Sequence, residues 1–216
     1  MSGGRGSRSC CCSGVCAFFF SAGFLVLIYW ATFQPRHIRA SVSSASLSDL
    51  TVNKTSNVNG AVVHYRLAVN LTIHNPSRRV AVYFDAIEAW LLANGASSLG
   101  EANATSPAVF HVARRSRADV AVEFEYGGGV GVRVAGDVAD EMEREIVVKN
   151  GGGVVGLEME VYTRVRYRLG FVMVRARPRI RCEMRIPVKE ERRRRGGHGS
   201  VAAGVLSPGD RCAVKY

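Results

Sequence analysis

Apolar and polar positions follow three patterns along this chain, and each predicts a different element. Residues 9–35 contain no charged side chain, and 15–33 are almost all apolar. At about 1.5 Å per residue, a helix over 15–33 is about 28 Å long, close to the ~30 Å hydrocarbon core of a bilayer. A cleaved signal peptide has a shorter apolar region ending in small residues, whereas this one ends in Tyr29, Trp30 and Phe33. Those aromatics suit a membrane–water interface. A buried core helix rarely lacks polar residues all round. The pattern predicts one uncleaved transmembrane anchor over 15–35.

Past residue 60 the period becomes two. Val63, Tyr65, Leu67, Val69, Leu71 and Ile73 alternate with His64, Arg66, Ala68, Asn70, Thr72 and His74, the mark of a half-buried strand. Asn75-Pro76-Ser77 breaks it as a turn. Residues 80–92 are rich enough in aromatic and β-branched side chains for a second strand. Ala118, Val120, Val122, Phe124 and Tyr126 alternate with charged neighbours as a third. Helical spacing interrupts once, at 137–147, where Val138, Met142 and Ile146 recur every fourth residue. Asp137, Asp140 and Glu141 sit in its first turn, where they suit the helix dipole. The flanking glycine runs, 127–131 and 151–153, lack the spacing and βαβ context of a nucleotide loop.

The longest alternation runs from 157 to 186. Its outward set contains Glu158, Glu160, Arg164, Arg166 and Arg168, then Arg175, Arg177, Arg179, Arg181, Glu183 and Arg185. A hairpin with its loop at 170–174 places Arg168 opposite Arg175, Arg166 opposite Arg177, Arg164 opposite Arg179 and Glu158 opposite Arg185. It also turns Cys182 to the core with the apolar set. Opposed like charges are unfavourable. Two readings follow for Arg164, Arg166, Arg168, Arg175, Arg177 and Arg179: a solvated face with splayed side chains, or an anion-binding patch near the hairpin tip. Arg192–Arg195 and the glycines after it read as an exposed loop, and a short strand carrying Cys212 closes the chain.

Composition changes this picture mainly through topology. Arg5 and Arg8 precede the anchor and Arg36 and Arg39 follow it, so the positive-inside rule does not orient it. Three N-glycosylation sequons, at Asn53, Asn70 and Asn103, all lie after the anchor; chance gives about one. The cysteines also segregate. Cys10, Cys11, Cys12 and Cys16 crowd the front of the anchor, as S-acylation sites on the cytosolic side or as apolar filler. Cys182 and Cys212 are the two in the body, a disulfide in a secretory compartment or two buried thiols. The consistent organisation is a cytosolic N-terminus (1–14), the anchor (15–35), a stalk with a first strand (36–60) and a β-domain (61–216) outside the cell or in a lumen.

The net charge of +11 raises a nucleic-acid reading. It is set aside because the body is expected outside the cytoplasm and because the basic residues are 25 Arg to 4 Lys, a skew that GC-rich coding produces without functional demand. A basic body still attracts anionic surfaces. No H-E-x-x-H, G-x-S-x-G or P-loop is present. His64 and His74 are about 33 Å apart along one strand, too far to share a metal. Glu158 and Glu160 are two apart on one face, and are read as solvated charges rather than a catalytic pair. No enzyme, cofactor or metal is expected.

Several landmarks occur in order: the Cys-rich front and single span, Phe33-Gln34-Pro35-Arg36, Asn75-Pro76-Ser77-Arg78-Arg79 leading into Val82-Tyr83-Phe84-Asp85, the Arg164–Gly170 run, Arg179-Ile180-Arg181-Cys182 and Arg211-Cys212-Ala213-Val214-Lys215-Tyr216. This order resembles the plant harpin-induced-like membrane proteins, which carry a late embryogenesis abundant type 2 domain. The resemblance implies a mainly β chain: one N-terminal transmembrane helix, then a fibronectin-III-like antiparallel β-sandwich of about seven strands with one α-helix. It implies a plasma-membrane protein of defence and stress responses, its N-terminus cytosolic and its C-terminal domain extracellular, without catalysis. Asn75-Pro76-Ser77 departs from the Asn-Pro-Asn often seen in the family. Expected partners are the membrane itself and a cell-wall polysaccharide, an anionic lipid or a protein. The alternative is a structural protectant of membranes during dehydration or other abiotic stress.

Overall fold

The computed structural model describes residues 10–33, 37–54, 60–93, 97–127, 129, 131–146, 153–170, 172–191, 201–206 and 211–216. Arg5, Arg8, Gln34, Pro35, Arg36 and Arg192–Arg195 lie outside the described residues. The chain divides into two units, Met1–Pro35 and Arg36–Tyr216. The first contains α1 (Cys10–Phe33). Its Gly14–Ala31 window has a mean hydropathy of 2.0 and none of it is buried. A helix apolar on every side is compatible with a membrane anchor.

The second unit is mainly antiparallel β. Its strands are β1 (Arg39–Lys54), β2 (Gly60–His74), β3 (Ala81–Ala93), β4 (Ser97–Glu101), β5 (Ala104–Ser106), β6 (Phe110–Val112), β7 (Arg117–Tyr126), β8 (Val132–Ala135), β9 (Gly153–Leu169), β10 (Val172–Ala176), β11 (Arg179–Glu191), β12 (Val201–Leu206) and β13 (Arg211–Lys215), with α2 (Gly136–Ile146) before β9. Among the described residues they form one sheet ordered β4-β3-β9-β11-β12-β1-β2-β7-β5, and β13 also bridges β1 and β11. The sheet folds over a single core, so that the Tyr65 hydroxyl on β2 donates to the Leu99 carbonyl on β4 at 2.9 Å. The sandwich with one helix is as expected. Among the described residues it holds thirteen strands rather than about seven, because short strands such as β4, β5, β6 and β8 line the long ones.

The alternating positions fill the core: Tyr65, Leu67, Val69, Leu71 and Ile73 from β2, Val120, Val122 and Phe124 from β7, and Val155, Leu157, Met159 and Val161 from β9 are all buried. Each such side chain stabilises the fold by about 1.5–3 kcal/mol. Helix α2 buries Ala139, Met142 and Ile146; Ala139 takes the place expected for Val138. Segment 36–60, expected as a stalk with a first strand, is strand for most of its described length. β1 pairs with β2 from Arg39 to Lys54 and buries Ala40, Val42, Ala45, Leu47 and Leu50; Ile38, just before it, is buried as well.

One register differs from expectation. Val172 pairs with Leu169 and Arg175 with Arg166, and the same register continues into β11, where Arg181 faces Glu160 and Glu183 faces Glu158. The hairpin therefore turns between Leu169 and Val172. Gly170, at φ 63°, adopts the left-handed conformation that such tight turns need. The shorter loop slides every cross-strand pair by two residues. A two-residue slip keeps each side chain on its face but changes its partner.

Candidate functional site

The outer face of β3, β9 and β11 carries an arginine–carboxylate ladder. The register of β3 on β9 shifts between Phe84 and Ala86, and the bulged residue there is Asp85. Arg166 Nε and Nη2 both donate to Asp85 Oδ1, at 3.0 and 2.6 Å. Arg164 Nη2 lies 3.6 Å from Glu88 Oε1, an exposed pair. Toward the middle of the face, Glu160 Oε1 accepts from Arg181 Nε at 3.1 Å and Nη2 at 2.7 Å. Its Oε2 accepts from the Tyr162 hydroxyl at 2.9 Å and from Arg179 Nη2. The Arg179 guanidinium also sits 5.0 Å from the centroid of the Tyr162 ring, a cation–π contact. Arg181 Nε reaches Glu158 Oε1 as well, as an ion pair without hydrogen-bond alignment.

Glu158 and Glu160 are thus not solvated charges: their residues are 8 and 4 % exposed. Alternation places them on the outward face correctly. It does not register that long side chains from the next strand close over them. Hydrogen bonds from Arg179, and after it from Arg181 and Tyr162, hold the Glu160 carboxyl down at about 2, against the opposing effect of burial. A buried carboxylate is tolerable only with such partners.

The six arginines of the expected patch therefore separate. Arg164, Arg166 and Arg179 each face a carboxylate. Arg168, Arg175 and Arg177 are exposed and have no acidic partner among the described residues. Arg168 lies opposite Met173, and of the expected Arg–Arg pairs only a shifted one occurs, Arg175 opposite Arg166. These three rim the β9–β10 hairpin, whose Val172, Met173 and Val174 are 38, 57 and 45 % exposed.

The rim continues around one end of the sandwich. Arg39, His74 and Arg117 stand in one cross-strand row on β1, β2 and β7. With His37 they line an open cleft of about 680 Å³. Tyr216 joins cleft to hairpin: its ring lies 4.7 Å from that of His37, and its hydroxyl contacts the Tyr167 hydroxyl at 3.0 Å and accepts from the Ile38 amide at 2.9 Å. Arg78, Arg79, Arg114 and Arg115 are exposed on two loops at the same end. Those loops are fixed by Asn75, which sequence reasoning treated as a turn breaker. It is fully buried. Its Nδ2 donates to the carbonyls of Val80, Val112 and Ala113 at 2.8, 3.3 and 3.1 Å, and its Oδ1 accepts from the Ser77 amide at 3.0 Å. The opposite end holds α2 with Asp137, Asp140, Glu141, Glu143 and Glu145. There Lys54 Nζ meets Asp140 Oδ1 at 2.7 Å and Glu143 Oε2 at 2.6 Å.

The remaining sequence candidates lie as follows. Cys182 on β11 and Cys212 on β13 are joined by a disulfide, with Cα atoms 4.3 Å apart. Asn53 and Asn103 are exposed, at the end of β1 and between β4 and β5. Asn70 is exposed in mid-strand, its Nδ2 donating to Ser44 Oγ at 3.0 Å. Cys16 is an exposed free thiol on α1; the side chains of Cys10, Cys11 and Cys12 lie outside the described residues. Among the described residues no group of three His, Cys, Asp or Glu side chains is arranged to hold a metal.

No family model matches the chain. Three Arabidopsis thaliana proteins do: NDR1/HIN1-like protein 3, 26% identical over 77% of this chain and 66% of its own length; NDR1/HIN1-like protein 10, 26% identical over 77% and 68%; and NDR1/HIN1-like protein 2, 26% identical over 75% and 62%. The chain thus spans about two thirds of the length of these relatives. A crystal structure of a protein from Archaeoglobus fulgidus aligns at 9% identity with a TM-score of 0.24, over 70% of this chain and 96% of that one. The three relatives support the harpin-induced-like family, a plant defence- and stress-related group, that the ordered motifs indicated.

Proposed function

We propose that this chain, similar to the NDR1/HIN1-like proteins, is a non-enzymatic plasma-membrane protein of plant defence and stress responses. Its α1 helix anchors it with the N-terminus in the cytosol. Its β unit lies outside the cell and binds an anionic partner: a wall polysaccharide, an anionic lipid or an acidic protein. One observation carries the binding reading. Three arginines around the β9–β10 hairpin are exposed and unmatched by carboxylates among the described residues, while the arginines beside them are matched. Charges already paired within the fold have little left to offer a ligand, whereas unpaired ones generate an outward field. The exposed Asn53 and Asn103 sequons and the Cys182–Cys212 bridge suit an oxidising, glycosylating compartment. Exposed Cys16 suits acylation at the membrane edge.

The test replaces Arg168, Arg175 and Arg177 with Ser and measures co-sedimentation with pectin and with anionic vesicles. Binding should fall about tenfold or more and depend less on salt. Replacing the matched Arg164 and Arg166 should have a smaller effect. Equal binding by the rim variant and the parent would end the reading. A glycosidase shift with protease protection on isolated membranes checks the topology separately.

A further inference from the structure

We propose that the basic end of the β unit docks in cis, on the phosphate-bearing anionic headgroups of the membrane that holds its own anchor. The Val172–Val174 tip enters the interface, and the His37, Arg39, His74, Arg117 cleft receives a headgroup phosphate. This rests on the anchored reading above and narrows its partner to a lipid surface.

Four observations converge. The hairpin tip is apolar and exposed, and is flanked by Arg168, Arg175 and Arg177. Apolar side chains collared by arginines are the composition of interfacial membrane segments, where the aliphatic parts leave water and the guanidinium groups remain at the phosphates. The tip and the cleft form one surface, because Tyr216 contacts His37 and Ile38 on one side and Tyr167, two residues before the end of β9, on the other.

Chain length gives the third. The apolar helix ends at Phe33 and β1 begins at Arg39. The residues between, 34–38, span at most about 20 Å when fully extended. The start of β1 belongs to the basic end, so that end of the β unit is the one joined to the anchor through this short segment. The fourth is the rest of the charge pattern. The acidic helix α2 and the exposed Asn53 and Asn103 sequons lie away from the basic end; nearer to it are the Asn70 sequon in the middle of β2 and Asp119, whose Oδ1 accepts from the Thr72 hydroxyl at 2.6 Å. A polysaccharide partner would not need an apolar tip among the arginines. An anionic bilayer uses the tip, the arginines and the short covalent tether together.

The test uses the full chain in nanodiscs of phosphatidylcholine alone and of phosphatidylcholine with phosphatidylinositol, reading amide hydrogen exchange over 168–177 and 37–41. The expected result is slowing of exchange at both segments by about threefold or more with the anionic lipid, reversed by high salt. Val172→Ser/Met173→Ser/Val174→Ser should abolish the slowing at 168–177, and Arg168→Ser/Arg175→Ser/Arg177→Ser should reduce it. Because these side chains are exposed, both variants should keep the exchange pattern of the core strands. Equal exchange in the two nanodiscs, with the chain resistant to alkaline carbonate in vesicles of both lipids, would overturn docking while leaving the anchor intact. Extraction by carbonate would overturn the anchor and the docking with it. Slowing produced by inorganic phosphate on the detergent-solubilised chain, equal to that in anionic nanodiscs, would show capture of a free anion and overturn docking on a lipid surface.

Discussion

Two arginine-rich regions of the β unit look alike in sequence and differ in the fold. On the ladder of β3, β9 and β11, Arg166, Arg179 and Arg181 each meet a carboxylate from a neighbouring strand. On the rim, Arg168, Arg175 and Arg177 come from the same two arms of the same alternating run and meet none among the described residues. The difference lies in what stands opposite. The turn between Leu169 and Val172 sets Arg181 against Glu160, while Arg168 falls against Met173 and Arg175 against Arg166. An arginine's role on a sheet face is set by register and by the next strand's carboxylates, not by its place in an Arg-x-Arg repeat. The ladder arginines tie strands together. The rim arginines are left to act on something outside the fold.

The comparison breaks most visibly at Glu160, the carboxylate shared by two ladder arginines. Glu160→Gln removes the charge and two charge-assisted hydrogen bonds, and should destabilise the β unit by about 1–3 kcal/mol. Arg168→Ser on the rim should change stability by less than about 0.5 kcal/mol. Thermal unfolding of the detergent-solubilised chain, followed by near-ultraviolet circular dichroism, distinguishes them. Equal losses would mean that the ladder is no more structural than the rim. The ladder should also be acid-sensitive. Glu160 has its carboxyl lowered from the usual 4.5 to about 2 in the folded chain. Its contribution is therefore complete above pH 4.5 and is lost as pH falls toward 2. Glu160→Gln should flatten that part of the stability profile. A variant with the parent's acid profile would assign the sensitivity elsewhere.

A smaller effect is expected at the other part of the ladder. Asp85→Asn keeps the shape of the bulged residue and weakens both hydrogen bonds from Arg166. Arg166 is partly exposed and can turn to water, so the melting temperature should fall by only about 2 °C. The released guanidinium should meanwhile join the rim and raise binding to anionic vesicles. A loss of vesicle binding would contradict the division between paired and unpaired arginines.

Much of this was legible in the sequence, and the omissions share a cause. Period-two patterning located β2, β7, β9 and β11, and the acidic first turn with fourfold apolar spacing located α2, because each reflects a repeat within one segment. The order of motifs indicated the family. The hairpin register was not legible, since the observed pairing of Val172 with Leu169 and a loop at 170–174 leave the same faces inward, and the turn conformation at Gly170 decides. Burial of Glu158 and Glu160 depends on Arg179 and Arg181 reaching over from β11, a lateral fact absent from a single-strand pattern. The alternation of Glu158 and Glu160 with their neighbours, set against Arg179 and Arg181 on the next strand, was the available signal. Asn75 was visible as a turn residue, but its hold on Val80, Val112 and Ala113 joins segments far apart in sequence. Very short strands such as β5 and β6 carry too few residues for any period to appear.

The subtlest way to sharpen the comparison is to turn a rim position into a ladder position. Met173 lies directly opposite Arg168 on the exposed face. Met173→Glu supplies there what Glu160 supplies to Arg181: a carboxylate on the adjacent strand. Being exposed, the new pair should stabilise the hairpin by only about 0.2–1 kcal/mol, barely resolved by melting. Binding is the sensitive readout, because the substitution cancels one unmatched charge and makes the apolar tip acidic. Anionic-vesicle binding should fall at least as much as for Arg168→Ser, while neutral Met173→Leu should bind like the parent. Binding by Met173→Glu at the parent's level would mean that the rim arginines, unpaired as they are, do not form the surface that meets the partner.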